Sequence, residues 1–238
     1  MSQVYFCHVR KCGGRSLIVA FLREAKAAGA DEASSLYQAL CSKGRQTIGK
    51  RQIHGWTTHP PAGFHFAFSH DPMHTVQLPK GALRVTTLRE PIARFLSYYR
   101  MLLHYHQTNN ARFARTEGRF IAEPFQDFLE KVAPEHLYAT LSMFSRKRSV
   151  DEAFQHITQL DQVIFVDNYA NGLAQLSAKI GCTLELCTFG ATPPVCMPEL
   201  TADDMAALTR KLEPELELYR RVRVHFGLTA STADAAAH

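Results

Sequence analysis

The 238 residues contain no long hydrophobic run. The longest uninterrupted apolar stretch is Leu17 to Leu22, far short of the roughly 18 to 20 residues that a membrane-spanning helix needs, so no transmembrane segment is expected. The N-terminus lacks a basic segment leading into an apolar stretch and a small-residue cleavage site. That pattern marks secretion, and without it the expected location is cytoplasmic. The six cysteines are few, irregularly spaced and never paired as Cys-x-x-Cys, which argues against a disulfide framework and for reduced thiols. The 12 histidines show no His-Glu-x-x-His spacing, so no metal site is expected. Internal repeats and low-complexity tracts are absent too. A small, polar tail, Thr229 to His238, is expected to be disordered, leaving residues 1–228 as a single domain.

What is present is an uneven distribution of charge. The net charge is +5, but residues 1–120 carry net +11 and residues 121–238 net −6. Such asymmetry suggests that the first half meets something anionic.

The order of elements indicates the fold class. Val4 to Val9 reads as a strand that ends in a turn at Arg10 to Gly14 and gives way to helical spacing from Ser16 to about Lys26. Phe64 to Ser69 and Leu83 to Leu88 read as strands, the second followed by Pro91 at the start of a helix to about His104. Val163 to Val166 is a further strand, leading into a helix from Tyr169 to Ile180 that Gly181 should cap. Helices are expected near Phe125 to Val132, Leu137 to Phe144 and Val150 to Leu160, the last opened by a Ser149-x-x-Glu152 capping box. Thr201 to Phe226 reads as one or two helices, broken or kinked at Pro214. Strands alternating with helices predict an α/β three-layer sandwich around a mainly parallel sheet, with ligands beyond the carboxyl ends of the strands.

Two segments at those ends carry chemistry. In Arg10-Lys11-Cys12-Gly13-Gly14-Arg15-Ser16, the paired glycines let the backbone bring its N–H groups close to an anion at the start of a helix. Lys11 adds an ammonium and Ser16 a hydroxyl donor. The spacing is neither a Walker A motif nor Gly-x-Gly-x-x-Gly. In the second segment, Thr86 to Tyr99, a strand ends at Arg89, whose guanidinium suits bidentate phosphate binding; Ser97 lies about two helical turns beyond Glu90. Taken alone, the first segment also reads as a structural glycine turn, and Arg89 as a partner for Glu90.

Together the segments resemble the sulfotransferases that use 3′-phosphoadenosine 5′-phosphosulfate (PAPS). Val9 to Leu17 looks like their 5′-phosphosulfate loop, and Thr87 to Tyr99 like their 3′-phosphate segment, close to Leu-Arg-Asp-Pro-x-x-Arg-x-x-Ser-x-Tyr. The resemblance is closest to the carbohydrate-type branch, which includes heparan sulfate 2-O-sulfotransferases and bacterial relatives. Cys12 and Arg15 depart from it, standing where that branch commonly has threonines. The resemblance implies a P-loop-NTPase-like sulfotransferase fold, PAPS as donor, PAP as product and no metal. It further implies that Lys11, Cys12, Gly13, Gly14, Arg15 and Ser16 hold the 5′ side and that Arg89 and Ser97 hold the 3′-phosphate. The acceptor would be a hydroxyl of a carbohydrate or small alcohol, with no nucleic acid involved.

Transfer to a hydroxyl needs a base near neutrality, which suits histidine. His70 follows the strand that ends at Ser69, beside the first loop, and Ser69-His70-Asp71-Pro72 resembles the Gly-His-x-Pro segment that carries that branch's base. His59 and His74 remain alternatives, as does an acid on or after the first helix, Glu24, Asp31 or Glu32, because some sulfotransferases use a glutamate there. The expected mechanism has His70 deprotonate the acceptor for in-line attack while Lys11 neutralises the leaving oxygen. Trp56, the only tryptophan, suits stacking on a sugar ring or a core or lid role. A P-loop small-molecule kinase is the leading rival, with Asp167 its one evident Mg²⁺-binding acid; a non-catalytic nucleic-acid binder is the other.

Overall fold

The computed structural model describes residues 2–26, 30–110, 116–189 and 197–228, without the side chains of residues 30 and 31. The expected tail Thr229 to His238 and the side chain of Asp31 lie outside them. Two compact units emerge, residues 1–89 with 159–191 and residues 90–158 with 192–238.

The first unit contains β1 (Val4–Cys7), α1 (Gly14–Lys26), α2 (Ala30–Lys43), β2 (Arg45–Ile48), β3 (Arg51–Gly55), β4 (Phe66–Ser69), β5 (Leu83–Leu88) and β6 (Gln162–Phe165), together with the helix Tyr169–Ile180. The six strands form one sheet in the order β2-β3-β4-β1-β5-β6. Every neighbouring pair is parallel except β2 with β3. The mixed α/β architecture around a mostly parallel sheet matches the expectation.

Alternate residues of the strands, among them Val4, Phe6, Phe66, Phe68 and Ile164, join Leu17 and Phe21 of α1 in one apolar cluster. Strands β1, β4 and β6 are buried along their whole length. This explains why they read as continuous apolar runs rather than as alternating patterns.

The hairpin β2–β3 falls in a stretch to which the sequence patterns assign no element. Its edge strand β2 is half exposed with charged and polar residues facing out, a composition that hides an edge strand. Helix α2 was legible but unread: Ala33, Tyr37 and Leu40 are buried at helical spacing.

The second unit is helical: α3 (Pro91–Gln107), α4 (Phe125–Lys131), α5 (Pro134–Leu137), α6 (Ala139–Phe144) and α7 (Val150–Thr158) precede the sheet's last strand. In the first unit α8 (Tyr169–Ile180) follows that strand and ends, as expected, on Gly181 in the left-handed conformation, φ 70°. The closing helix of the second unit, α9 (Ala202–His225), runs as one helix through Pro214, the single-helix form of the expectation. Proline removes one backbone bond, whereas Leu208, Leu212, Leu218 and Val222 are buried on both sides of it. Glu215, also buried, accepts the Leu141 amide at 2.8 Å. The capping box at Ser149 forms only in half. The Glu152 amide donates to Ser149 Oγ, but the Glu152 carboxylate accepts the Ser145 hydroxyl instead of the Ser149 amide. Among the described residues no helix is long and apolar enough to cross a membrane.

Candidate functional site

Strand register decides what stands at the carboxyl edge of the sheet. Cys7, near the end of β1, pairs with Ser69 of β4 on one side and with Thr86 of β5 on the other. Neighbouring strands lie about 4.8 Å apart. His70, the Arg10–Ser16 loop and Arg89 therefore leave the same edge of three adjacent parallel strands. Trp56, just past β3, joins them there, because β3 is parallel to β4.

The loop itself is tightly folded. Lys11 and Gly13 both take positive φ, 68° and 75°. A left-handed conformation costs a non-glycine residue about 1–2 kcal/mol, and such strain concentrates at functional sites. Gly13 is exposed, and its carbonyl accepts the Tyr169 hydroxyl at 3.2 Å. Gly14 serves a different purpose: a Cβ there would lie 2.2 Å from His8 Nε2 and 2.8 Å from Phe6 Cε1. Its missing side chain is what lets the His8 ring sit under the start of α1. Gly14→Ala should thus cost about 1–3 kcal/mol or more through overpacking, seen as a fall in Tm of several degrees by calorimetry; an unchanged Tm would disprove the contact.

The remaining loop side chains divide. The Cys12 thiol is buried, 3.8 Å from the Arg10 carbonyl, so only its backbone remains for a ligand at the loop. Arg15 is exposed, its guanidinium 5.9 Å from the centre of the Tyr37 ring; burial pushes the Tyr37 phenol up to about 12, against the pull of Arg15. Ser16 Oγ accepts the Phe189 amide at 3.1 Å, a structural bond that leaves its proton available for donation.

His70 Nδ1 lies 2.7 Å from the His8 carbonyl oxygen. A carbonyl only accepts, so Nδ1 carries the proton and, in the neutral ring, Nε2 carries the basic lone pair. The His8 ring packs tilted against His70, with centroids 4.2 Å apart and 36° between the planes. It is 5 % exposed, and burial, reinforced by the positive charges of His70, Arg15 and Arg10, holds its pKa well below the usual histidine range. A neutral ring thus backs His70, a neighbour the sequence reading did not single out. Its place one residue beyond β1, opposite the start of the loop, was the available signal.

The alternatives fare differently. Glu24 sits near the opposite end of the sheet, where its carboxylate binds Arg51 at 2.7 Å and His65, which precedes β4, at 2.9 Å. Glu32 pairs with Lys26. His59 is exposed and bonded to Thr58 Oγ1 at 2.8 Å, and His74 is exposed on a short 3₁₀ turn, Met73–Thr75. Neither His59 nor His74 directly follows a strand.

Arg89 is half-buried and has no hydrogen-bond or ion-pair partner among the described residues. Glu90 caps α3, accepting the Ile92 and Ala93 amides at 3.0 and 2.6 Å. Ser97 is half-buried on α3, in the helical unit. Arg94, in the same segment, is 1 % exposed and donates to the carbonyls of His136 and Leu137, a structural role. A family model described as the sulfotransferase family matches residues 2–161. No curated protein matches the chain.

Proposed function

Because the chain belongs to the sulfotransferase family and is thereby a sulfuryl-transferring enzyme, we propose that its donor is PAPS, used with His70 as base on a hydroxyl acceptor. The chain's residues fit such a donor. Arg89 is a half-sheltered cation with no anionic partner among the described residues, and the left-handed bend at Gly13 exposes backbone at the start of α1. The observation that carries this reading is the side-by-side parallel order of β4, β1 and β5, which gathers an acceptor of protons, a basic loop and an arginine at one edge.

When bound, PAPS supplies the sulfuryl group. The amides of Gly13, Gly14 and Arg15 would hold the 5′ side, the Ser16 amide being given to the Gly13 carbonyl at 3.1 Å, and the Lys11 ammonium would neutralise charge at the leaving oxygen. Arg89 pairs with the 3′-phosphate in a bidentate manner. His70 Nε2 takes the proton of the acceptor hydroxyl. The acceptor hydroxyl belongs to a carbohydrate or a small alcohol.

Arg89→Ala is expected to weaken binding of 3′,5′-ADP about 10-fold to 100-fold, the worth of a charged hydrogen-bonded pair, with Tm nearly unchanged. Calorimetric titration checks this, and an unaltered affinity would remove Arg89 from the site. An enzyme that turned over ATP with Mg²⁺ in preference to PAPS would overturn the donor assignment.

A further inference from the structure

Trp56 has two properties that rarely coincide. Its backbone is left-handed, φ 58°, a conformation costly for a bulky residue. The residue is 41 % exposed, so burial does not offset that cost. The strain is held in place by neighbours: the Thr57 amide donates to the Phe68 carbonyl at 3.2 Å, and the Thr57 carbonyl accepts the Tyr5 hydroxyl at 2.9 Å. The Thr58 carbonyl in turn accepts the Gln77 amide at 2.8 Å. The indole is thus a fixed surface feature, its ring edge-on to Phe68 with centroids 4.9 Å apart. It lies next to the proposed base, 5.2 Å from the His70 ring centre.

We propose that Trp56 is an acceptor platform, on which a pyranose ring of the acceptor stacks so that one of its hydroxyls meets His70. This rests on the reading of His70 as base. A flat, rigid aromatic face at a wet site suits a ligand with one apolar face and a polar rim. A pyranose has both, its C–H bonds on the face and its hydroxyls around the edge. The surroundings match: Thr57, Thr58 and His59 follow the indole and are partly or fully exposed, and the Thr57 hydroxyl, which accepts the His59 amide at 3.2 Å, keeps its proton to donate to a sugar's rim. An acyclic alcohol lacks the flat face that stacking needs.

Trp56 is the only tryptophan of the chain, so its emission reports the site directly. The full chain is titrated at millimolar concentration with cellotriose, chitotriose and a desulfated heparin tetrasaccharide, and with sorbitol as the acyclic control. At least one of the three saccharides is expected to shift or quench the emission while sorbitol leaves it unchanged. For a saccharide that is sulfated, Trp56→Ala should raise KM about 10-fold to 100-fold, as for other ligands stacked on aromatic platforms, with kcat changed far less. Trp56→Phe should retain most of the affinity. The platform is overturned if no saccharide moves the emission, if sorbitol moves it equally, or if Trp56→Ala keeps the wild-type KM. Calorimetry with 3′,5′-ADP, run on the same samples, reports folding and the donor site independently. Failure there with a saccharide response intact would overturn the PAPS reading and not the platform.

Discussion

Substitution of His70 by alanine is expected to lower kcat about 100-fold to 10,000-fold, the contribution of a positioned general base, while 3′,5′-ADP binds as before. The tautomer underlies this. Because Nδ1–H is given to the His8 carbonyl at 2.7 Å, Nε2 is the basic nitrogen of the neutral ring. That bond runs to backbone and so persists whatever side chain stands at position 8. The buried His8 ring stays neutral and adds no second positive charge beside the imidazolium that forms on proton uptake. In the wild type, acid places a proton on Nε2 and removes the base, so kcat/KM should fall in acid. The alanine variant should lose that acid limb. Near-normal turnover, or an acid limb identical to that of the wild type, would show that another group takes the proton.

Replacing Lys11 has a comparable effect by a different route. An ammonium at the leaving oxygen acts chiefly in the transition state, and its loss costs about 100-fold to 1,000-fold in kcat. Two variants separate chemistry from folding. Lys11→Ala removes the charge and keeps the left-handed strain at φ 68°. Lys11→Gly removes both, since glycine adopts positive φ freely, though it also gains freedom in the unfolded chain. Both should be equally slow, and the glycine variant should melt no lower than the alanine variant. A glycine variant with substantial turnover would show that the loop needs only its bend and not the ammonium.

The segments that bear the chemistry were legible because their signals are local. The apolar run Val4–Cys7 before Gly13 and Gly14, Pro91 at the head of α3 and Gly181 at the end of α8 each act through a few neighbouring residues. Arg89 and Ser97 lack such a signal: nothing in their spacing names a phosphate without the family resemblance. Where the sequence left the outcome open or gave no signal, tertiary contacts decided it. Of the one or two helices that Pro214 allowed, one forms, with buried side chains on either side of the proline. Polar Arg45 to Ile48 forms a strand because β3 offers it an edge.

By itself the sequence determined an α/β chain with a glycine-bearing loop after its first strand and a histidine and an arginine ending two others. Only the tertiary structure decided that these three strands are neighbours, that Glu24 is engaged near the far end of the sheet, and that His8 and Trp56 flank His70. The physical reason is that turn and helix signals act over a few residues. Which strands pair, and which rings meet, is set by register and burial between segments some 50 to 80 residues apart in the chain, where local patterns carry little information.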